Sequence, residues 1–534
     1  MTSRAGDGAT AGTWTLVRVR LRADRWALLA WVVSAVALFA GTASSVASLY
    51  GTPDKRQGYA DAVSGNPAFE AINGIPYGAD TLGGIVADEW AFLGTVLVPL
   101  LAVSLVARGT RREEEDGLLE LVRSRGVGRA AQLAAVGAVV AGCLVVVAVG
   151  MGASLVAVGV PGGPSATYAA SYLGLGLVWL GVAALAAQVV RRARGVWALG
   201  LGALVGAYVL RAVGDVSDGA AWLRWASPLA WLQETRAFAA DHRTWPLLLP
   251  VAGAAVLLAA AAVLVGRRDL GAGLVASRSG PAHASALLAS PLGLAVRRAA
   301  GTAGGWCAIA LIVGGVFGAL AKEAASAVSS SSLGGTFATG SEPADGYLAL
   351  TVEVVALLAC AAAVQGVGAL RDQETAGLAE ETLARPVGRR GWALGDTAAA
   401  LATALVVLVV GGLAAGAGAA VSLGEPARTG ALTAAALGYL PAVLVCAGVA
   451  LALFGLAPRA QQAAWAVVAW AAVVAMLGDA LDVAGWARDL SPLDHLGALP
   501  VDGYDATAAA WLVAVAVALG AVGLETFRRR DVPA

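Results

Sequence analysis

Charge is what this sequence has little of. Only 13% of its 534 residues are Asp, Glu, Lys or Arg, about half the ~25% of an average soluble domain. A soluble chain of this length needs polar residues to cover its surface. A soluble enzyme, a disordered chain and a nucleic-acid-binding protein are therefore excluded. Lysine is nearly absent, found only at Lys55 and Lys322. Neither lies in a Gly-x-x-x-x-Gly-Lys-Ser/Thr setting, whose lysine must reach the phosphates, so the chain is not expected to bind and hydrolyse ATP by itself. Four cysteines, Cys143, Cys307, Cys360 and Cys446, each sit inside an apolar run and read as small hydrophobic residues. The three histidines, His242, His283 and His495, are scattered, so no metal site is expected. No Ser/His/Asp or paired-carboxylate constellation is visible, and the net charge of zero says nothing of partners.

What fills the sequence is apolar: 58% of residues, with a mean hydropathy of +0.74. A bilayer-crossing helix needs about 20 apolar residues, and none of the runs alternates like a barrel strand. The runs predict an all-α polytopic membrane protein. Twelve spans are expected, at roughly 26–48, 83–107, 130–158, 166–190, 196–213, 247–266, 303–322, 346–370, 391–421, 430–456, 463–482 and 507–525. Residues 14–25, with Arg18, Arg20, Arg22 and Arg25 among apolar neighbours, suit an interfacial helix. The first run follows arginines like a signal peptide, but with so many spans behind it an uncleaved anchor is the reading. With both termini inside, arginines at 108–129, 191–194, 267–268, 297–298, 371–390 and 528–530 gather on the inner side, a positive-inside pattern. The stretches 49–82, 214–246 and 483–506 are then short outer loops.

The two halves repeat each other. Residues 111–129 read RREEEDGLLELVRSRGVGR and residues 371–389 read RDQETAGLAEETLARPVGR, with nine identities in nineteen positions. Ser227-Pro228-Leu229 matches Ser491-Pro492-Leu493, Gly214-Asp215 matches Gly478-Asp479, and Arg267-Arg268-Asp269 matches Arg529-Arg530-Asp531. A parallel duplication of six spans is expected. The first half is 1–266, the second 301–534, with a linker and a second amphipathic helix at 267–300. Two such repeats can enclose a pathway.

The repeated loop begins acidic, carries Leu118, Leu119, Leu121 and Val122, and ends basic, which suits a short helix and its dipole. Gly126 and Gly128, or Pro386 and Gly388, end it before the next span. A plain connector obeying the positive-inside rule is one reading. A docking helix accounts better for Glu-x-x-Gly-Leu-x-Glu and Val-Gly-Arg appearing twice.

A loop of the type Glu-Glu-x-x-Gly-x-x-Glu-x-Leu-x-x-x-Pro-Val-Gly-Arg after the second span, behind an amphipathic helix, resembles the permeases of type-2 ABC exporters. In length, span number and duplication the whole chain resembles the fused twelve-span actinobacterial permeases described as exporters of polyketide antibiotics or other drugs. The resemblance implies a plasma-membrane permease without its own motor, with ATP and Mg on two copies of a cytoplasmic ABC ATPase and a hydrophobic small molecule as substrate. It implies that Glu113, Glu114, Glu115, Gly117, Leu118 and Glu120 dock one ATPase and that Glu374, Gly377, Leu378, Glu380 and Glu381 dock the other. The first copy departs in having Gly126 where the pattern has proline; the second has Thr375 and Ala376 in place of Glu115 and Asp116.

Ionisable residues inside the spans are few, and each is a functional candidate. Glu89, beside Asp88 near the outer end of span 2, falls opposite Glu353 of span 8 when the repeat offset is about four residues larger. The pair either attracts a cationic substrate or reaches outer water and a neighbouring helix. Arg211 stands one turn before Asp215 and is expected to pair with it. Two other functions compete. A secondary transporter of the major-facilitator kind would carry a basic loop after span 2, where this chain is acidic. A non-transport scaffold or lipid-modifying enzyme calls for a catalytic constellation or a large outer domain.

Overall fold

A computed structural model describes residues 8–531 except 66, 125, 269, 270, 272, 275–282, 284, 286, 287, 289, 323, 324, 326–342 and 478–482. Among the described residues there are helices and turns and no strand. The chain divides into two compact units, Met1–Gly280 and Pro281–Ala534.

The first unit opens with α1 (Thr13–Ala23) and, after Asp24, α2 (Arg25–Leu49). Short helices α3 (Pro53–Val63) and α4 (Pro67–Asn73) come next. Then come α5 (Leu82–Ala107), α6 (Leu118–Arg123), α7 (Ala131–Ala157), α8 (Gly162–Val189), α9 (Ala193–Val216), α10 (Pro228–Gln233) and α11 (Leu248–Val265). The second unit comprises α12 (Pro291–Ala319), α13 (Pro343–Thr375), α14 (Leu378–Leu383), α15 (Arg389–Leu423), α16 (Arg428–Gly438), α17 (Leu440–Leu456), α18 (Ala464–Leu477) and α19 (Ala506–Arg529).

Eleven helical stretches among the described residues are long and apolar enough to cross a membrane, one of them α16 and α17 taken together. The chain is a multi-pass membrane protein. The expected count of twelve is not reached there. The run foreseen at 463–482 appears as α18, 14 residues long, and its far end lies outside the described residues, as do Gly478 and Asp479. A second difference concerns the start of the second unit. The linker and second amphipathic helix are expected at 267–300; residues 291–300 of that stretch continue without a break into α12, whereas Asp24 separates α1 from α2. Ser290 starts α12 by accepting the Gly293 N–H at 3.0 Å, and Pro291 supplies a first-turn residue that needs no donor.

Each unit has the same radial order. In the first, α5 and α8 are the most buried spans and α2, α9 and α11 the most exposed; in the second, α13 and α16–α17 are central while α12 and α19 are peripheral. Small residues let the central helices touch. A Cβ on Gly176 of α8 would lie 2.4 Å from Leu144 of α7, and one on Gly411 of α15 would lie 2.5 Å from Val355 of α13. Seating a neighbour's side chain on a glycine is one way small residues let helices pack closely where lipid removes the hydrophobic drive. Serine landmarks of the repeat are structural: Ser227 is buried and donates to Ala207 O at 2.7 Å, and Ser491 is buried as well.

Candidate functional site

The repeated loop grows out of α5. Thr81 caps that helix by accepting the Gly84 N–H at 3.0 Å. Beyond Ala107 the helix widens into one π-type turn, Arg108–Arg112, before a last α turn at Glu113–Glu115. A π turn inserts one residue and rotates the residues beyond it about the helix axis. Here Arg111 is carried fully inside, where its Nε donates to Ala187 O at the end of α8. Those terminal carbonyls have no partner within their own helix, so a buried cation is favourable there.

Glu114 meets Arg111 at 2.9 Å, and Arg268, beyond α11, at 2.7 Å. It also accepts the Gly271 N–H at 2.9 Å, and Arg268 reaches Gln188 of α8 at 2.9 Å. The Glu114 side chain is only 6% exposed. The second unit builds the same clamp. Glu374 meets Arg371 at 2.9 Å and Arg530, beyond α19, at 2.9 Å, with its side chain 1% exposed. In both halves a glutamate of the loop is held between the arginine one turn before it and an arginine beyond the last span.

The resemblance implies docking for Glu114 and Glu374. In the structure both side chains are turned inward and join the loop to the end of the half. Glu113 is half-occupied in the same way: Arg20 of α1 donates to it at 2.7 Å and Gln132 of α7 at 3.1 Å. Arg20 and Gln132 both also donate to Gly109 O, at 2.9 and 3.1 Å, so α1 is latched to the π turn. Glu115 accepts the Ala193 N–H at the start of α9, at 3.2 Å, a favourable place for a carboxylate. The first copy of the loop is tied down further by the segment before α1. Ala130 donates to Ala9 O at 2.8 Å and Gly128 to Ala11 O at 3.0 Å. A Cβ on Gly128 would come within 2.3 Å of Ala9 O, which explains glycine there in Val-Gly-Arg. Gly388 meets nothing comparable.

What remains free is a short edge. Gly117 and Gly377 both adopt left-handed backbone, φ +73° and +72°, which side-chain-bearing residues avoid at a cost of roughly 1–2 kcal/mol. Each glycine turns the chain out of the preceding helix and into α6 or α14. There Leu118 and Leu378 are exposed, 50% and 47%, and Glu120, Glu380 and Glu381 are exposed beside them. Leu119 and Ala379 point the other way and are buried. The structure thus separates each loop into an inward clamp and an outward Leu-x-Glu edge.

The two intramembrane candidates stand apart in kind. Glu89 of α5 is exposed and accepts the Tyr59 hydroxyl of α3 at 3.2 Å. Burial, with the Glu89 carboxylate beside it, pushes the Tyr59 phenol up, which keeps it a donor. Glu353 of α13 is half-buried. The pairing of Arg211 with Asp215 is present, at 3.8 Å.

Sequence reasoning missed most of the ion network at the end of the first unit opposite the repeated loop. Arg224, Arg236 and Arg243 surround Glu234 at 3.6, 3.4 and 3.8 Å. Arg211, fully buried, and Tyr208 donate to Ile72 O at 2.6 and 2.8 Å. Gln233 donates to Asn73 O at 2.7 Å. The stretches 49–82 and 214–246 are thereby stitched together, and nothing local in the sequence announces contacts so distant along the chain. Among the described residues no group of His, Cys, Asp and Glu is arranged to hold a metal ion.

The comparisons with known proteins agree with this architecture. The family model described as "Multidrug efflux system permease Rv1217c, C-terminal domain" matches residues 16–265 and 288–528, one stretch in each half. The multidrug efflux system permease protein Rv1217c of Mycobacterium tuberculosis (strain ATCC 25618 / H37Rv) is 34% identical over 539 positions, covering 99% of this chain and 96% of that protein. On both grounds the chain belongs to the family of the multidrug efflux system permease Rv1217c.

Proposed function

We propose that this chain is the membrane permease of an ATP-driven exporter that moves hydrophobic or amphipathic compounds out of the cell. The motor is a separate ABC ATPase, two copies of which carry the ATP and Mg and dock on the two repeated loops. The observation that carries this reading is the edge built twice. Leu118 with Glu120, and Leu378 with Glu380 and Glu381, stand exposed behind a left-handed glycine while their neighbours turn inward. A connector needs no such edge. The name of the relative, a multidrug efflux permease, supports the same transport class. With the arginine-rich loops and both termini in the cytoplasm of a bacterial cell, the edges face the compartment that holds ATP. The chain then supplies no catalysis of its own.

Clamp and edge divide the work. A motor closing against the edge moves α6 or α14. The Glu114 and Glu374 clamps tie that displacement to the ends of α11 and α19, and the Arg20 latch ties it to α1.

The test is co-purification of the chain with the products of neighbouring genes in mild detergent, followed by an ATP hydrolysis assay. A stoichiometric ATPase lost on changing Leu118→Arg and Leu378→Arg together is the expected result. An ATPase that stays bound to that double variant, or a native chain that purifies alone, would overturn the docking reading.

A further inference from the structure

Asp88 of α5 is buried, 6% exposed, and its Oδ2 has no protein hydrogen-bond partner. Among the described residues it forms no ion pair within 4.0 Å. It lines a cavity of ≈ 40 Å³ with Asn73, Tyr77, Tyr168, Arg236 and Phe238. The one cation in that wall is already engaged: the Arg236 guanidinium lies 4.3 Å from the Tyr77 ring centre and pairs with Glu234 and Asp241. A buried carboxylate without a counter-charge is among the costliest groups a fold can hold. A water in the cavity meets its hydrogen bond but not its charge.

The repeat supplies a control. On the register that sets Glu89 against Glu353, Asp88 falls on Val352, which is fully buried in α13. The packing of this central helix therefore does not itself call for a carboxylate. The acid belongs to the first half alone.

A second cavity of ≈ 210 Å³ adjoins the first, lined by Leu82, Val160, Pro161, Pro164 and His242 and sharing Ala237 and Phe238 as a wall. Phe238 is half-buried, packs 5.2 Å from the Tyr168 ring and fills the space that a side chain at Gly83 would take. Ligand sites usually offer about 300 Å³ or more, mostly apolar with a few placed polar groups. Neither cavity is that large. With the Phe238 ring swung aside they form one site with an apolar body and a carboxylate at its inner end.

We propose that this is a binding site for lipophilic amines, in which Asp88 takes the ammonium head and the apolar cavity behind Phe238 takes the hydrocarbon body. Tyr168 and Phe238 offer π faces to the same cation. The proposal rests on the export reading for its biological sense, since it names the chemical class of one substrate. Its test does not need the motor.

The experiment is equilibrium binding of radiolabelled dodecylamine, cationic at neutral pH, to the detergent-purified full chain, with dodecanol as the neutral probe of the same length. Asp88→Asn is expected to weaken dodecylamine by at least about tenfold, the worth of a charge-assisted hydrogen bond, and to leave dodecanol unchanged. Ala87→Leu fills the smaller cavity without touching the charge and should weaken dodecylamine as well, so the result does not depend on one variant folding. Dodecylamine binding that survives both changes would overturn the site. Binding retained by a chain that recruits no ATPase would sink the export reading and leave the amine site standing.

Discussion

The Glu114 carboxylate accepts a 2.7 Å hydrogen bond from Arg268, a residue 154 positions further along the chain. Glu374 and Arg530 stand as an ion pair at 2.9 Å in the same place of the second half, without the alignment of a hydrogen bond. Both glutamates also hold an arginine one helical turn before them, so each lies between two guanidinium groups. The contact closes each half on itself, linking the loop after its second span to the chain after its last.

Glu114→Gln should destabilise the protein more than Glu374→Gln. Removing one partner of a buried ion pair costs about 3–5 kcal/mol, because a charge is left without compensation. Arg111 is fully buried, whereas Arg371 and Arg530 keep 24% and 18% of their side chains exposed and can be solvated in part. Thermal unfolding of the purified variants should show the larger drop for Glu114→Gln. Equal drops would mean that the π turn does not isolate Arg111 from water.

Gly117→Ala and Gly377→Ala should each weaken motor binding by about tenfold while leaving the membrane helices intact. A Cβ at either position meets nothing within 4 Å, so crowding plays no part. The cost lies in the left-handed backbone, roughly 1–2 kcal/mol. The chain relieves it by turning the Leu118 or Leu378 edge elsewhere. Asn tolerates this conformation better, so Gly117→Asn should recover part of the affinity. ATPase titration onto immobilised permease measures both effects, and alanine variants that bind like the native chain would separate the turn from docking.

Apolar runs of about 20 residues are enough to place the spans, because in lipid only a helix satisfies its own backbone. Repeat identities are enough to single out the loop. They do not say which way its side chains face. Glu114, Gly117, Leu118 and Glu120 are all shared with the second copy, yet one is a clamp, one a turn and two an edge. The (i, i+3) spacing of Arg111 and Glu114 is a local hint of an ion pair. Arg268 and Arg530 carry no local hint, since their partner is brought to them only by the packing of the helices between. The π turn that buries Arg111 is equally silent, because α13 reaches Glu374 without one. Asp88 and Glu89 are adjacent and look alike as intramembrane acids. Helical rotation sends the first inward and the second outward.

Acid should loosen the start of α19. Asp505 Oδ1 accepts the backbone N–H groups of Ala508 at 3.1 Å and Thr507 at 2.8 Å, and these hold its carboxyl below the usual carboxylate range. A depressed folded value means that the stabilisation is present above about pH 4, where the free carboxylate is ionised. It is lost as pH falls through the lower, folded value. Amide exchange in residues 506–509 should therefore be faster in Asp505→Ala than in the native chain at neutral pH. The difference should fade as pH falls through the lower, folded value. Asp505→Asn, which keeps an acceptor oxygen but no charge, should fall between native and Asp505→Ala at neutral pH. A difference between Asp505→Ala and native that persists unchanged in acid would show that the cap does not act through its charge.

Arg211→Met should free the segment before α5 from the body of the first unit. The Arg211 guanidinium lies 4.4 Å from the Tyr208 ring centre and donates to Ile72 O at 2.6 Å, near the end of α4. It also faces Asp215, whose side chain is 1% exposed and whose other cation, Arg224, is at 4.0 Å. Methionine fills much of the same volume but supplies neither the donor nor the charge. Asp215 is then left to a distant partner, and α4 loses one of the two donors on its terminal carbonyl. The remaining one, from Tyr208 at 2.8 Å, carries no charge. Trypsin reads the consequence, because Lys55 and Arg56 lie in the released segment, and Arg56 is tied in the native chain to Tyr50 O at 3.2 Å. Cleavage there should quicken in Arg211→Met and quicken further in Arg211→Met with Tyr208→Phe. Arg211→Lys should fall between, since one ammonium can serve Ile72 O or Asp215 but lacks the fork that serves both. Cleavage at the native rate in all three would mean that the segment is held by its apolar contacts, Tyr59, Ala60 and Val63, and that the buried arginine serves only α9.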